Sequence, residues 1–135
     1  MSGYVTFVMS GRRLAGRLGE VREVVRATGI EPLAGARAPV TGLLVLRGTP
    51  LPVVDLRSAA DAGDTGDLLV LQTPDGALGL AVDEVLAVLG PDELVTGPGV
   101  AAPGLPAYVL DVRHDAAGAP VLVVSLTALA GLVPA

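Results

Sequence analysis

Two stretches of the sequence predict β-hairpins, because in each of them apolar runs are separated by a short segment of turn residues. In the first stretch, the β-branched and aromatic residues 4–9 precede a Ser-Gly-Arg turn, and residues 14–16 resume the apolar run. In the second stretch, the apolar residues 43–46 and 51–56 flank an Arg-Gly-Thr-Pro connection. Both patterns are typical of paired strands.

The segment between the hairpins predicts a single helical turn. Leu18, Val21 and Val24 recur at a spacing of three, which suits one turn of helix. Gly29 and Pro32 follow soon afterwards and prevent a longer helix. We therefore expect a short helical turn and no long helix in this part of the chain.

After residue 66 the same kind of pattern starts again. Residues 59–66 are small and acidic, which is typical of a linker. Beyond them, residues 68–72 predict a strand, a Pro-Asp-Gly segment predicts a turn, and residues 78–89 form another apolar segment. Residues 127–132 predict a short closing helix.

The two stretches align with each other, which suggests an internal duplication. Residues 21–24 lie over residues 82–85 at an offset of 61, and residues 51–56 lie over residues 121–126 at an offset of 70. Chance similarity between segments rich in Val and Leu is the alternative explanation.

Composition favours a one-domain protein built from strands. The chain has 135 residues, of which 51% are hydrophobic and only 2% aromatic, so Val, Leu and Ala must build the core. Val favours pleated surfaces, which adds to the prediction of an all-β fold.

Charge and residue usage exclude several classes of protein. The net charge is −5, which disfavours binding to nucleic acid. The absence of cysteine excludes disulfides, thiolate metal sites and a nucleophilic Cys. The apolar run over residues 121–133 is shorter than the roughly 20 residues that a membrane helix needs. No targeting segment precedes the first strand, so we expect a cytoplasmic protein without membrane insertion.

The sequence offers little for catalysis. It has no Lys for a phosphate-binding loop, no G-x-G-x-x-G motif, and only one His for its serines to share. Asp111, His114 and Asp115 resemble a metal cluster, but one imidazole beside two carboxylates is more typical of a solvated turn. Asp64-Thr65-Gly66 matches the D-T-G string of aspartic proteases, but its surroundings are those of a linker. We predict no enzyme, no metal and no cofactor.

Five segments, in order, resemble the CheW-like domain of bacterial chemotaxis. They are V-R-E-V-V-R at residues 21–26, E-P-L at residues 31–33, G-L-L-V-L-R-G-T-P-L-P-V-V-D-L-R at residues 42–57, G-L-A-V-D-E-V at residues 79–85, and the apolar residues 121–132. The combination is far more specific than any one segment, and it spans essentially the whole chain.

The resemblance implies a single CheW-like domain over residues 1–135, made of two packed five-stranded SH3-like β-barrels. We expect pseudo-duplicated halves at residues 1–60 and 66–135, joined by linker 59–66, with a short helical turn and a short C-terminal helix. It also implies a non-catalytic adaptor that couples a helical chemoreceptor tip to the CheW-like regulatory domain of a histidine kinase. A regulatory module of a non-chemotactic two-component kinase is the alternative function.

The resemblance also suggests which residues meet each partner. The receptor would lie in a groove between the halves, and the kinase would meet one end of the first barrel. The receptor candidates are Val21, Glu23, Gly42, Arg47, Val82 and Val85. The kinase candidates are Leu51, Val53, Asp55 and Arg57.

Each of these assignments has a structural alternative. We expect Glu23 and Arg47 to form an ion pair, against two separate solvated charges. Gly42 is expected where either a neighbouring strand or an incoming helix approaches the backbone, or it is merely a flexible strand entry. By alternation, Leu51 and Val53 also fit the core. Asp55 and Arg57 are the expected surface contacts of this group, although Asp55 also fits a turn cap.

Overall fold

The computed structural model describes residues 3–57, 66–96 and 104–131. In these ranges the chain forms twelve strands, one 3-10 turn at Leu18–Glu20 and one helix, α1, at Leu126–Leu129. The strands in chain order are β1 Tyr4–Met9, β2 Arg12–Arg17, β3 Val21–Arg26, β4 Glu31–Pro32, β5 Gly42–Leu46, β6 Thr49–Asp55, β7 Asp67–Thr73, β8 Gly76–Val82, β9 Glu84–Leu89, β10 Val95–Thr96, β11 Val109–His114 and β12 Pro120–Val124.

The strands form two sheets of six with the same internal order. The first sheet runs β3-β7-β8-β6-β5-β4, and the second runs β9-β1-β2-β12-β11-β10. In each sheet the third and fourth strands pair in parallel and all other neighbours pair antiparallel. The all-β prediction is confirmed. Each sheet has six strands, whereas five were predicted for each barrel. The additional strand is β4 in the first sheet and β10 in the second, and each has only two residues, too few to show a periodic pattern in the sequence.

The predicted halves exchange their hairpins. The hairpin β7-β8, which follows the predicted linker, joins β3 to β6 in the first sheet, whereas β1-β2 joins β9 to β12 in the second. The duplication is therefore visible in the topology, but neither sheet consists of one half of the sequence alone. Residues 58–65, which contain nearly all of the predicted linker, lie outside the described residues.

The strand register corrects one of the two alignments. Val53 pairs with Gly79 and Val123 pairs with Ala15, at the same place in each sheet, as the offset of 70 requires. The offset of 61 is wrong: Val21 pairs with Leu71 beside a β-bulge, and the residue beside the matching bulge of the second sheet is Val85. The positions of the β-bulges define which residues of the two sheets are equivalent, whereas the alignment at an offset of 61 had matched only similar residue types.

Three smaller predictions also need correction. The helical turn ends at Glu20, so that Val21 and Val24 lie in a strand. The apolar segment 78–89 is divided at Asp83 into β8 and β9. The closing helix begins at Leu126, one residue before its predicted start, because the Ser125 hydroxyl accepts a hydrogen bond from Ala128 N–H and caps it.

The sheets pack face to face over a shared core. This inter-sheet core takes Phe7 and Leu14 from the second sheet and Leu71, Leu78 and Val82 from the first. The opposite face of the first sheet carries a separate core that includes Leu51, Val53 and Val70, and the second sheet has a smaller one. Strands β7 and β8 are buried on both faces, which explains their nearly continuous apolar sequence. In the described part of the chain, no helix is long and apolar enough to cross a bilayer.

Candidate functional site

An ion pair forms at the turn between β5 and β6, as the sequence predicted. Arg47 Nη2 lies 2.5 Å from Glu23 Oε2 on β3. The turn places Arg47 in the left-handed region with φ at 49°, followed by Gly48 at 82°, which is the geometry of a tight hairpin turn. The hydrogen bond from Arg47 lowers the pKa of Glu23, and the same bond raises that of Arg47.

This ion pair forms part of the wall of a pocket of about 300 Å³ at the turn end of the first sheet. We call it the turn-end pocket. Its polar wall combines Glu23 and Arg47 with Arg22, and its apolar wall includes Leu51 and Val70. The complete lining is Arg22, Glu23, Leu46, Arg47, Thr49, Pro50, Leu51, Val70 and Ala77.

The turn-end pocket lies on the face of the first sheet that points away from the second sheet. Val70 and Ala77 belong to or pack against the separate core of the first sheet. Their chain neighbours Leu71 and Leu78 point the other way, into the inter-sheet core. Because side chains alternate along a strand, the pocket and the junction between the sheets are separate places.

The matching end of the second sheet is built differently. Ala77 pairs with Gln72 on its hairpin, and the equivalent residue of the other hairpin is Arg13, which pairs with Val8. The Arg13 guanidinium donates a hydrogen bond to Asp115, just after β11. The hydrogen bond from Arg13 lowers the pKa of Asp115, as do bonds from Ala119 and Ala117 N–H. A long cationic side chain thus stands where the first sheet has a methyl group.

The junction between the sheets holds three other receptor candidates, Val21, Val82 and Val85. Val21 and Val85, which are equivalent in the two sheets, are half-buried and pack against the inter-sheet core. Val82 is fully buried there, so it supports the junction without offering a surface of its own. Glu23 and Arg47 are not at this junction but at the turn-end pocket.

Gly42 is approached by a neighbouring strand. A Cβ at this position would lie 2.7 Å from the carbonyl oxygen of Glu31 on β4 and 3.0 Å from Ile30 Cγ2. Backbone atoms cannot yield as a flexible side chain can. Of the alternatives that the sequence left open, the close approach of a strand is therefore the one observed.

The four kinase candidates fall into two groups. Leu51 and Val53 belong to the core of the first sheet, as the structural alternative held, although Leu51 also lines the turn-end pocket. Asp55 and Arg57 lie beyond them, at the other end of β6. The expectation that Arg57 is a surface contact is wrong, since only 2% of its side chain is exposed.

Asp55 and Arg57 form a bidentate ion pair. Arg57 Nε donates to Asp55 Oδ1 at 3.0 Å, and Nη2 donates to Oδ2 at 2.8 Å. Burial alone would raise the pKa of Asp55, but the hydrogen bonds and charge of Arg57 outweigh it and lower the pKa. Asp55 also accepts from Arg57 N–H, the turn-capping role considered from the sequence.

The rejected catalytic candidates show no common site in the described residues. Asp111 binds Arg113, and Asp115 binds Arg13. No group of metal-ligating side chains occurs in the described ranges. Asp64 and Thr65 of the D-T-G string lie outside these ranges.

Sequence reasoning missed Arg22, Val70 and Ala77, which complete the turn-end pocket. None of them carries a motif, and Ala77 matters because its side chain is small. An alignment of hairpin β1-β2 with hairpin β7-β8 would have placed Ala77 opposite Arg13, but the comparison of the halves did not include the hairpins.

Comparison with known proteins agrees with this architecture. The family model of the CheW-like domain matches residues 3–134. The fold is similar to that of the scaffolding protein TtCheW from Thermoanaerobacter tengcongensis, with a TM-score of 0.72 and 20% sequence identity, over 93% of this chain and 84% of that chain. A search of curated proteins finds no match. The two sheets correspond to the two SH3-like barrels that the sequence predicted.

Proposed function

Because the chain belongs to the CheW-like domain family, we propose that it is a non-catalytic adaptor that couples a helical chemoreceptor to a histidine kinase in chemotaxis-type signalling. The observation that carries the proposal is the family match over residues 3–134, which includes both sheets and leaves no room for a separate catalytic domain within that range. The proposal implies a cytoplasmic protein that acts by binding.

Two separate surfaces support an adaptor role, since a coupling protein must hold two partners at once. One is the junction between the sheets, where Val21 and Val85 are half-buried apolar side chains packed against the inter-sheet core, of the kind that a receptor helix contacts. The other is the turn end of the first sheet, with its pocket and its Glu23–Arg47 ion pair. The pocket lies on the face of the first sheet opposite the inter-sheet core, so we expect the two surfaces to be occupied independently.

The structure narrows the residues that remain candidates for partner contact. Val21 and Val85 remain candidates for receptor contact. Leu51 is buried, with 4% of its surface exposed, and remains a candidate for kinase contact only because it lines the turn-end pocket. Val53, Val82 and Gly42 would act on binding only through the fold, because they are buried. The Asp55–Arg57 pair would likewise act by holding the end of β6 in place.

The proposal is tested by reconstitution with purified full-length histidine kinase and receptor cytoplasmic fragment from the same organism. We expect the chain to bind each protein alone and to raise kinase autophosphorylation only when the receptor is present. Binding to the kinase without any binding to the receptor would instead support the alternative, a regulator of a non-chemotactic kinase. Binding to neither protein would contradict both functions.

A further inference from the structure

Two equivalent backbone N–H groups, those of Val21 on β3 and Val85 on β9, have different hydrogen-bond partners. The Val21 N–H donates to the carbonyl oxygen of Leu18 and closes the 3-10 turn that precedes β3. The Val85 N–H donates to Oδ2 of Asp67 at 2.8 Å. Only Asp83 lies between β8 and β9, so this connection holds no equivalent turn, and a side chain accepts the bond instead.

The hydrogen bond from Val85 to Asp67 joins the two sheets. Asp67 is the first residue of β7 and pairs with Arg26 and Val82 in the first sheet. Val85 lies on β9 of the second sheet. The equivalent of Asp67 in the second sheet is Gly3, just before β1, which has no side chain to make such a bond. One carboxylate therefore links the sheets at a place where the equivalent residue is a glycine.

The backbone bond is the stronger of two interactions that the Asp67 side chain makes. Asp67 Oδ1 also lies 3.8 Å from Arg26 Nη1, but 74% of the Arg26 side chain is exposed, against 16% for Asp67. An exposed ion pair of this kind is weak. An ionised carboxylate, by contrast, strengthens the hydrogen bond that it accepts from a backbone N–H. The bond to Val85 is therefore the interaction that a change at Asp67 should disturb most.

Strand β9 depends on this bond because it is the outermost strand of its sheet. Among the described strands only β1 pairs with it, and a β-bulge interrupts the pairing. Val85 packs against the inter-sheet core, and Val88 lies opposite Val5 of that core, so both valines face the junction. Val88 is 63% exposed and extends the apolar surface beside Val85. The hydrogen bond to Asp67 thus fixes the strand that carries both side chains.

We propose that Asp67 is a positioning residue for receptor binding: its carboxylate holds β9 against the first sheet, so that a receptor helix meets Val85 and Val88 already in place. This inference rests on the proposed function. A surface that is ordered beforehand binds more tightly, because it loses less conformational freedom when the partner arrives. Asp67 acts through Val85 and not by contact with the receptor.

Three variants separate the hydrogen bond from the ion pair. Asp67→Ala removes both interactions, Asp67→Asn keeps an oxygen that can accept from the Val85 N–H, and Arg26→Ala removes the ion pair alone. Affinities for the receptor cytoplasmic fragment and for full-length kinase are measured separately by titration calorimetry. We expect Asp67→Ala to weaken receptor binding about tenfold at unchanged kinase affinity, and the other two variants to bind both proteins within about twofold of the wild-type chain.

Amide hydrogen exchange, measured by NMR, reports on the hydrogen bond itself. We expect the Val85 amide to exchange faster in Asp67→Ala, while unchanged exchange at Leu71 in the inter-sheet core shows that the variant is folded. Wild-type receptor affinity in Asp67→Ala would overturn the inference, and so would an equally large loss in Asp67→Asn.

The comparison of the two partners gives a further control. An equal loss of receptor and kinase binding in Asp67→Ala would overturn the inference, because Asp67 would then act on the fold as a whole. Failure of the wild-type chain to bind the receptor fragment would instead overturn the proposed function.

Discussion

The turn ends of the two sheets show how one topology can carry different side chains at equivalent positions. In the first sheet, an ion pair from β3 to the β5-β6 turn lies beside the small side chain of Ala77, and a pocket remains. In the second sheet, an ion pair from Arg13 to Asp115 occupies the corresponding place. The strand order is the same in both sheets, so the two ends differ in their side chains and not in their topology.

The other ends of β6 and β12 also carry different side chains at equivalent positions. Asp55, the last residue of β6, is equivalent to Ser125, the first residue after β12. Asp55 binds the buried guanidinium of Arg57, whereas Ser125 caps helix α1. Both hold the chain as it leaves the strand, one with charge and the other with a hydroxyl. The two sheets thus share a topology, while equivalent residues stabilise the chain through different interactions.

The largest expected effect tests whether the two sheets are independent. Phe7 and Leu71 are equivalent and fully buried in the shared core. Phe7→Ala should lower the free energy of unfolding by about 3–5 kcal/mol and Leu71→Ala by about 2–5 kcal/mol. We expect a single transition in urea for both variants, because the core is shared. Two separate transitions would show that the sheets fold as independent units.

A smaller loss is expected from the buried ion pair. Asp55→Ala should cost about 2–3 kcal/mol, less than the 3–5 kcal/mol of a fully buried pair, because 20% of the Asp55 side chain is exposed and Arg57 keeps its other contacts. The loss should appear as a lower urea midpoint. A variant that loses kinase binding at unchanged stability would contradict the structural role and restore the predicted surface role.

The same ion pair predicts a pH dependence. The pKa of Asp55 is lowered in the folded chain, so its contribution to stability is complete above the unfolded pKa of about 3.9 and is lost as the pH falls through the lower folded value. Urea titrations between neutral and acidic pH should show a steeper acid loss for the wild-type chain than for Asp55→Asn. Equal slopes would show that Asp55 does not titrate with a lowered pKa.

The equivalent residue in the second sheet should matter less. Ser125→Ala removes the cap of a helix of four residues, and caps of this kind contribute about 0.5–2 kcal/mol. We expect a loss near the lower limit, read from the urea midpoint, with Ser125→Asp as a control that retains an acceptor. A loss larger than that of Asp55→Ala would reverse the comparison of the two strand ends.

These contrasts also show what the sequence could predict. Hairpins, apolar strands and the closing helix were predicted from local patterns. The Glu23–Arg47 pair was predicted because an unpaired guanidinium at the end of an apolar hairpin would be costly, and because the matching family positions lie near the receptor groove. The exchange of hairpins could not be read from the sequence, because no local pattern says which half a hairpin joins. The pocket was missed because it depends on the small size of Ala77, which carries no motif.

Burial explains the remaining differences at the candidate site. Arg57 was expected at the surface because arginine usually lies there, but Asp55 two residues earlier compensates its charge in the interior. Val82 and Val53 were named by position in a motif, and position alone does not say which face of a strand is covered. Val82 is covered by the packing of the two sheets, and Val53 by the separate core on the other face of the first sheet.

The central claim is that two separate surfaces hold two partners at the same time. Sedimentation velocity on a mixture of the chain with full-length histidine kinase and the receptor cytoplasmic fragment tests it most directly. The account predicts a species that contains all three proteins, formed without displacement of either partner as the other is added. Mutually exclusive complexes, in which added receptor fragment releases the kinase from the chain, would contradict it.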